Sequence, residues 1–314
     1  MKKNVPVVFS TDKNFFPYFL VALESIIQNS NLNVGYKIIL LHADLTESNE
    51  KIILERIKNH PNFSICLIDV SDLAEKYELN KFMTDNHLRV STYYRLLIGE
   101  ILKEYDKNIY LDCDLILNKD IALLYETDIK DNYLAAVLDR GAQDYFLKSV
   151  PAFKKNMQHL GMKTVENYFN AGVLIMTLKA IRENKLLEKF LQVAQKNNQF
   201  FHDQNVLNVV CEGKVFYLDS SWNIQCCNRI NEKELGIIHY AGNKPWNKKR
   251  VNLKKYWWNY AKNTFFYQTI LADYKKNVRQ HKKIKFKKLK YKILYKLSFG
   301  KVRQKYKQKY NEAK

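Results

Sequence analysis

The first 70 residues alternate between short apolar runs and segments in which apolar residues recur every three or four positions. The runs at 5–10, 36–42 and 63–70 have the length of buried strands, and the segments at 16–27 and 46–59 have the spacing of helices. This order of strand, helix, strand, helix, strand predicts a parallel sheet covered by helices on both faces. In such sheets ligands bind beyond the carboxyl ends of the strands.

The rest of the chain continues the alternation and predicts an α/β fold throughout. The further predicted strands lie at 109–117, 134–138, 169–176, 214–217 and 237–240. The further predicted helices lie at 90–102, 120–125, 178–194, 205–211 and 256–274, and residues 141–168 are expected to be loop and helix.

Two carboxylates, Asp112 and Asp114, interrupt the apolar run at 109–117. Because residues i and i+2 of an extended chain point the same way, both side chains are expected to converge on one spot. Two unpaired carboxylates at that distance repel each other and resist desolvation, and a divalent cation such as Mg²⁺ or Mn²⁺ removes both costs. The pair therefore indicates a metal site able to hold a diphosphate; the alternative is a surface turn with two Asp.

Other polar residues stand where predicted strands end, which favours a shared site. They are Asp12, Asn14, Asp139, Asn170, Asp203, Gln204, His239 and Lys244. Taken singly, Asp203 has the simpler interpretation of a helix N-cap, His239 that of a core histidine, and Asn170 that of a turn residue beside Gly172. Their joint placement at strand ends favours function over these alternatives.

Composition argues against several classes of protein. The 46% hydrophobic content supports a large core, yet no stretch approaches the roughly 20 apolar residues of a membrane span. The short apolar run after Met1-Lys2-Lys3 predicts a first strand rather than a signal peptide. The nine Gly form no G-x-G-x-x-G or Walker-type loop, which argues against a dinucleotide dehydrogenase or a P-loop enzyme. The five Cys (66, 113, 211, 226 and 227) have no metal-ligand spacing and predict reduced thiols in a cytosolic protein.

The net charge of +20 is concentrated at one end of the chain. Residues 275–314 hold 17 Lys and Arg and one acid, Glu312, whereas the other 274 residues hold 35 basic and 31 acidic groups. The body is thus close to neutral, which argues against a protein that binds nucleic acid over its whole surface. We predict a catalytic domain at 1–274 and a basic tail at 275–314.

The motifs, taken in order, resemble the retaining glycosyltransferases of family 8, and among them the bacterial lipopolysaccharide and lipooligosaccharide galactosyl- and glucosyltransferases. The resemblance covers about residues 5–260 and begins with a first strand that ends near Asp12. Its further markers are STYYRL at 91–96, YLDCD at 110–114, FNAGV at 169–173, DQN at 203–205, and HYAG at 239–242 followed by KPW at 244–246. One departure is that Asn243 stands alone before Lys244, where the family often has two residues.

This resemblance implies a GT-A fold, an α/β nucleotide-sugar-binding fold with a central mixed, mainly parallel sheet. It implies a UDP-hexose donor and Mn²⁺ or Mg²⁺. Of the two ions, Mn²⁺ is favoured because a histidine near the C-terminal end of the domain is an implied ligand and imidazole is softer than carboxylate. The implied metal ligands are Asp112, Asp114 and His239. The implied contacts to the nucleotide part of the donor, beside the two aspartates, are Ser10, Thr11, Asp12, Asn14, Arg95, Gly242 and Lys244. Around the transferred sugar the resemblance implies Asn170, Asp203 and Gln204, and on the acceptor side it implies Asp139. Gly242 would leave room for a phosphate to approach the backbone.

The implied reaction moves galactose or glucose from a UDP-sugar to a glycan or a lipid-linked oligosaccharide, with an α linkage, in lipopolysaccharide or other cell-surface glycan synthesis. Gln204 stands where a covalent nucleophile would lie, but an amide is a poor nucleophile, so front-side attack is favoured over a double displacement. One rival is a sugar nucleotidyltransferase, which usually carries a Gly-rich N-terminal signature that is missing here. Another is a metal-dependent nuclease or nucleic-acid-binding protein, which the nearly neutral body opposes.

Within the tail, apolar residues recur at helical spacing among lysines. The apolar set is Phe286, Leu289, Ile293, Leu294 and Leu297, and the flanking lysines are Lys285, Lys287, Lys288, Lys292 and Lys296. A basic amphipathic helix can lie in a lipid interface with its apolar face buried. We expect a peripheral protein on the cytoplasmic face of the membrane, bound to anionic lipid and to no specific nucleic acid. The alternatives are a solvated, disordered tail and a tail that binds nucleic acid without specificity.

Overall fold

The structure is a computed structural model that describes residues 4–82, 90–142, 155, 157–163, 166–196, 202–226 and 235–312. Most of the predicted segment 141–168 lies outside the described residues, as do Met1-Lys2-Lys3 and Cys227. The four other cysteines form no disulfide among the described residues, and their redox state stays a prediction.

A seven-stranded sheet forms the centre of the fold. The strands in chain order are β1 (Asn4–Ser10), β2 (Gly35–His42), β3 (Phe63–Asp69), β4 (Lys107–Leu111), β5 (Leu115–Leu117), β6 (Leu134–Leu138), β7 (Phe169–Thr177), β8 (Val215–Tyr217), β9 (Ile224–Gln225) and β10 (Ile237–His239). The large sheet has the order β3-β2-β1-β4-β7-β6-β8, and β5-β10-β9 form a smaller sheet. In the large sheet only β7 runs antiparallel to its neighbours, which confirms the predicted mixed, mainly parallel α/β fold.

Helices cover both faces of this sheet, and further helices follow at the C-terminal end of the described chain. They are α1 (Phe16–Gln28), α2 (Glu47–Ile57), α3 (Ser71–Lys76), α4 (Ile98–Ile101), α5 (Ile121–Tyr125), α6 (Leu178–Glu183), α7 (Leu186–Lys196), α8 (His202–Val210), α9 (Lys254–Ala261), α10 (Tyr267–Leu297) and α11 (Gly300–Glu312), with 3₁₀ turns at Leu79–Phe82, Val90–Leu97 and Ser220–Trp222. Along β1, Val7 and Phe9 pack against α1 and α2 on one face, and Val8 joins Tyr93 and Leu97 on the other. This alternation buries β1 on both sides, as its continuous apolar sequence predicts.

Several predicted element boundaries were wrong. The single helix expected at 178–194 is two helices, because Lys185 has a left-handed backbone with φ of 52°. The helix expected at 205–211 begins at His202, so Asp203 and Gln204 lie in its first turn rather than before it. The helix expected at 90–102 is mostly a 3₁₀ turn. The last two segments carry buried polar side chains, among them Arg95, His202 and Asp203, which interrupt the apolar periodicity on which the prediction relied.

The basic tail begins inside α10 rather than at a break in the chain. This helix runs without interruption through Lys275, and its early residue Ile270 is buried in an aromatic cluster with Trp257 and Trp246. The division into 1–274 and 275–314 stays a prediction. In the part of the chain that the structure describes, no helix is long and apolar enough to cross a membrane.

Candidate active site

The candidate site lies at the edge of the large sheet where β1 and β4 end and the antiparallel β7 begins. A cavity of about 310 Å³ opens there. It is lined by Ser10, Phe15, Ser91, Thr92, Arg95, Tyr110, Asp112, Cys113, Asp114 and Lys244. Because β1 and β4 are parallel neighbours, the loop after β1 and the two carboxylates after β4 meet at one edge, as the strand order predicts.

Asp112 and Asp114 occupy the link between two strands of different sheets. The backbone N–H of Asp112 donates to the carbonyl of Gly172 at 2.8 Å, which keeps this residue beside β7. Two residues later the chain joins the small sheet, and the N–H of Tyr240 donates to the carbonyl of Asp114 at 2.9 Å. The link turns both carboxylates toward His239, so their predicted convergence is confirmed.

Each carboxylate presents one oxygen to His239 and the other to a basic side chain. His239 Nε2 lies 3.2 Å from Asp114 Oδ1 and 3.7 Å from Asp112 Oδ2. Lys244 Nζ donates to Asp114 Oδ2, and Arg95 Nη2 donates to Asp112 Oδ1 at 2.7 Å. One ligand atom from each of the two acids and the histidine lies within 4.8 Å of the others. Two carboxylate oxygens and an imidazole nitrogen are a suitable donor set for Mn²⁺ or Mg²⁺, so the predicted ligands fit such an ion.

The buried Asp114 carries its charge because of these neighbours. Burial alone raises the pKa of this carboxyl, but the Lys244 ammonium and His239 outweigh burial and hold the pKa well below its usual range. The carboxylate is therefore ionised at neutral pH, the form in which it can bind a cation.

Arg95 is buried between two acids, Asp112 and Asp203. Its Nε lies 2.9 Å from Asp203 Oδ2, its Nη1 donates to the carbonyl of Ala171 at 2.6 Å, and its guanidinium packs 4.3 Å above the ring of Tyr110. Burial raises the pKa of Asp203 to about 6, against the opposing charge of Arg95. Arg95 thus borders the cavity as a fixed positive charge that also orients Asp112.

Asn170, Asp139 and Gln204 form one hydrogen-bonded group, named here the amide cluster. Asp139 Oδ2 accepts from Asn170 Nδ2 at 3.1 Å and from Gln204 Nε2 at 3.0 Å. Gln204 Oε1 accepts from the N–H of Ala171 at 3.0 Å. The structure brings these three predicted residues together, with Asp139 and Asn170 buried and Gln204 partly exposed. The acceptor-side role of Asp139 stays a prediction.

The loop after β1 holds the four residues predicted around the uridine. Asp12 Oδ1 accepts from the N–H of Asn14 at 2.8 Å and from that of Phe15 at 3.0 Å, which fixes the turn into α1. Thr11 is buried and Asn14 is exposed, whereas Ser10 borders the cavity. Phe15 also borders the cavity and was not predicted, although an aromatic ring there suits a base.

The turn that carries Lys244 is fixed by aromatic packing. Gly242 has a left-handed backbone, with φ of +81°, which reverses the chain after β10. Trp246 stacks on Tyr18 with ring centroids 3.9 Å apart, and Lys244 Nζ donates to the carbonyl of Tyr240 at 3.1 Å. The ammonium is therefore held at the cavity despite the shortened turn.

Asn223 is a site residue that the sequence did not single out. It is buried, with its side chain between His239 Nδ1 at 3.0 Å and Asn170 Oδ1 at 2.9 Å. The sequence marks Asn223 only as a polar residue that stands between Trp222 and Ile224, where a strand begins. Such a position also suits a turn residue, so the pattern alone gave it no role.

Residues 6–250 match the family model described as glycosyl transferase family 8. A putative glycosyltransferase of Haemophilus influenzae (strain ATCC 51907 / DSM 11121 / KW20 / Rd) is 30% identical over 260 residues, which are 79% of this chain and 74% of that protein. Glycosyltransferase GlyF of Streptococcus pneumoniae serotype 4 is 28% identical over 260 residues, or 77% of this chain and 58% of that one.

Two solved structures extend the similarity to the fold. The structure of the galactosyltransferase LgtC in complex with donor and acceptor sugar analogues has a TM-score of 0.68 and 25% identity, and covers 83% of this chain and 96% of its own. The apo structure of the WbbM bifunctional glycosyltransferase has a TM-score of 0.76 and 26% identity over 89% of this chain. The chain spans about half, 52%, of that second protein.

Proposed function

The chain belongs to glycosyltransferase family 8, and from this premise we propose that it transfers galactose or glucose from a UDP-sugar to a glycan acceptor with an α linkage. The observation that carries the proposal is the pair Asp112 and Asp114, with His239 on one side and Lys244 and Arg95 on the other. This arrangement places fixed positive charge and a cation-binding set beside one cavity, as the release of a nucleoside diphosphate requires.

Asp112, Asp114 and His239 would hold the divalent cation, and the imidazole favours Mn²⁺ over Mg²⁺. When bound, the cation neutralises negative charge that develops on a leaving diphosphate. Lys244 supplies a second positive charge to that group, and its tether to Asp114 and to the carbonyl of Tyr240 holds it in position. Arg95 keeps Asp112 oriented through the bond to Oδ1, so that Oδ2 stays directed at the cation site.

The remaining predicted residues divide between the two ends of the donor. Ser10, Thr11, Asp12 and Asn14 would contact the uridine, and the amide cluster with Asp203 would surround the sugar. Gln204 Oε1 already accepts from the N–H of Ala171 and from Asn170 Nδ2 at 3.3 Å. An amide oxygen held by two donors is a weak nucleophile, which favours front-side attack with a phosphate oxygen of the donor accepting the proton of the acceptor hydroxyl. In this scheme Gln204 orients the sugar.

A donor screen followed by product analysis tests the proposal. With Mn²⁺ present, UDP release should occur from UDP-galactose or UDP-glucose, and NMR of the product should show an α-anomeric proton. A β-linked product would refute retention. Formation of UTP and sugar 1-phosphate from the UDP-sugar and added pyrophosphate, in place of UDP release, would identify a nucleotidyltransferase, and cleavage of RNA or DNA would identify a nuclease.

We further propose that the tail holds the enzyme at an anionic membrane surface, beside a lipid-linked acceptor used in cell-surface glycan synthesis. Helices α10 and α11 pack on each other, with Tyr291 stacked on Tyr306 at 6.5 Å and Arg303 over Tyr295 at 4.8 Å. The apolar side chains left exposed on this pair are Phe286, Leu289, Ile293, Leu297, Phe299 and Val302, whereas Leu294 is half-buried. Lysines around them would add roughly 1 kcal/mol each near anionic lipid, less at high salt.

Exchanging Phe286 and Leu297 for Glu should release the protein from vesicles that contain anionic lipid and spare transfer to a short soluble acceptor. The two side chains are 72% and 73% exposed, so the change costs little folding stability, whereas burial in lipid is lost. Leu32→Glu is the matched control, because Leu32 is 71% exposed but lies far along the chain from the tail. Vesicle co-sedimentation measures the effect, and retention of the double variant at the unchanged level would exclude these residues as the anchor.

A further inference from the structure

Asn223 lies in a hydrogen-bond chain that joins the predicted metal ligands to the amide cluster. Its side chain is 2% exposed. Its Oδ1 lies 3.0 Å from His239 Nδ1, and its Nδ2 donates to Asn170 Oδ1 at 2.9 Å. Asn223 therefore contacts both halves of the site through the two ends of one amide.

A backbone N–H fixes which groups donate and which accept along this series of hydrogen bonds. Gly172 N donates to Asn170 Oδ1 at 3.0 Å, and a peptide N–H can only donate. The Asn170 atom between Gly172 and Asn223 is thus the amide oxygen, and the Asn223 atom that faces it is the NH₂ group. The oxygen of Asn223 then faces His239, so Nδ1 of the imidazole carries the proton.

Nε2 is therefore the ring nitrogen that remains available to bind a cation. It lies 3.2 Å from Asp114 Oδ1 and 3.7 Å from Asp112 Oδ2, on the side where the two carboxylates would hold the ion. Metal-binding histidines are commonly fixed in this way, through the nitrogen that does not bind the metal.

We infer that Asn223 is a positioning residue that presets His239 as an Nε2 metal ligand and ties that setting to the orientation of Asn170. The second part follows because Asn170 Nδ2 donates onward to Asp139 Oδ2 at 3.1 Å and to Gln204 Oε1 at 3.3 Å. Loss of the Asn223 donor would leave Asn170 held on its oxygen by Gly172 N alone. The inference rests on the proposed metal-dependent function and assigns a role to a residue that touches neither metal nor sugar.

Asn223→Ala should weaken Mn²⁺ binding by about 10–100-fold, as loss of such orienting partners usually does. The free Mn²⁺ signal in electron paramagnetic resonance measures the affinity. In Mg²⁺-loaded protein labelled with ¹⁵N-histidine, the unchanged protein should show His239 with the proton on Nδ1 and none on Nε2, whereas the variant should show a mixture of tautomers. His239→Gln identifies the resonances.

Asn223→Asp separates the two halves of the role. A carboxylate still accepts from His239 Nδ1, so the tautomer and the Mn²⁺ affinity should be preserved, but it cannot donate to Asn170 and should therefore lower kcat at saturating Mn²⁺. Asn62→Ala is the matched control: Asn62 is 7% exposed and donates to two carbonyls at 3.3 Å, away from the site. It should change neither Mn²⁺ affinity nor the His239 resonances.

Unchanged Mn²⁺ affinity and an unchanged His239 tautomer in Asn223→Ala would overturn the inference, provided that Asp114→Asn has lost Mn²⁺ binding. If Asp114→Asn also binds Mn²⁺ as the unchanged chain does, the metal site itself is refuted, and the inference with it. A tautomer mixture in Asn223→Asp equal to that in Asn223→Ala would likewise overturn it, because the carboxylate retains the acceptor for Nδ1.

Discussion

Asp114→Asn is expected to lower kcat for sugar transfer by about a thousandfold, since the loss of a charged metal ligand removes several kcal/mol of stabilisation from the departing diphosphate. Asp114 is buried and contacts both His239 Nε2 and Lys244 Nζ, so its replacement also loosens the ammonium that serves the same group. Asp112→Asn should have a similar effect, because it removes the partner of Arg95 and the second anionic ligand. UDP release with saturating Mn²⁺ measures both variants.

The fold should survive both substitutions, because asparagine has the shape of aspartate and the backbone bond from Tyr240 to Asp114 is unaffected. Asp120→Asn is the matched control: Asp120 Oδ1 accepts from Tyr36 Oη at 2.7 Å and caps α5, but Asp120 does not border the cavity. Its loss should lower the free energy of unfolding by about 1 kcal/mol and leave transfer unchanged. Full activity of Asp112→Asn or Asp114→Asn in the presence of a chelator would contradict a metal-dependent mechanism.

Much of the fold follows from local sequence, because the strands at its centre are apolar throughout. The strands β1, β2 and β3 and the helix α1 lie within one or two residues of their predicted positions. The reversal of β7 has no local signature, since a buried antiparallel strand and a buried parallel strand have the same apolar pattern. Here the resemblance to a family supplied the mixed sheet. The separation of β5 into a second sheet likewise depends on its pairing with β10, more than a hundred residues away.

The residues of the candidate site likewise fall into those that the local sequence predicts and those that only the folded structure brings together. Asp112, Asp114 and His239 were predicted because motifs carry them, and the structure brings their ligand atoms together. Asn223 was missed because its importance lies in what its amide touches rather than in its own chemistry. The pairing of Arg95 with Asp203 was also missed, because those residues are distant in sequence and meet only when α8 packs beside the 3₁₀ turn at Val90–Leu97.

Gly172→Ala should abolish Mn²⁺ binding and lower transfer about as strongly as the loss of a ligand does. A Cβ at Gly172 would lie 2.2 Å from Cε1 of His239, 2.8 Å from its Nδ1 and 2.9 Å from Asp112 Oδ2. The backbone of Gly172 is outside the left-handed region, so an alanine adopts it without strain and the effect comes from these contacts alone. His239 must leave its place, which breaks its bond to Asn223 and removes Nε2 from the carboxylates. Mn²⁺ titration and UDP release measure the loss.

A double-mutant cycle with His239→Ala isolates the cause. In the unchanged background the extra methyl should lower the free energy of unfolding by about 1–3 kcal/mol, the usual cost of overpacking. In the His239→Ala background the ring is gone, and the methyl at 172 enters the space that it leaves, with only the contact to Asp112 Oδ2 remaining. The penalty should then fall markedly, and the difference between the two backgrounds gives an interaction energy of about 1–3 kcal/mol for two residues in contact. Denaturant unfolding of the four proteins measures it. An equal penalty in both backgrounds would show that the methyl acts on the sheet or on Asp112 rather than on the histidine, and the displacement of His239 would be refuted as the cause.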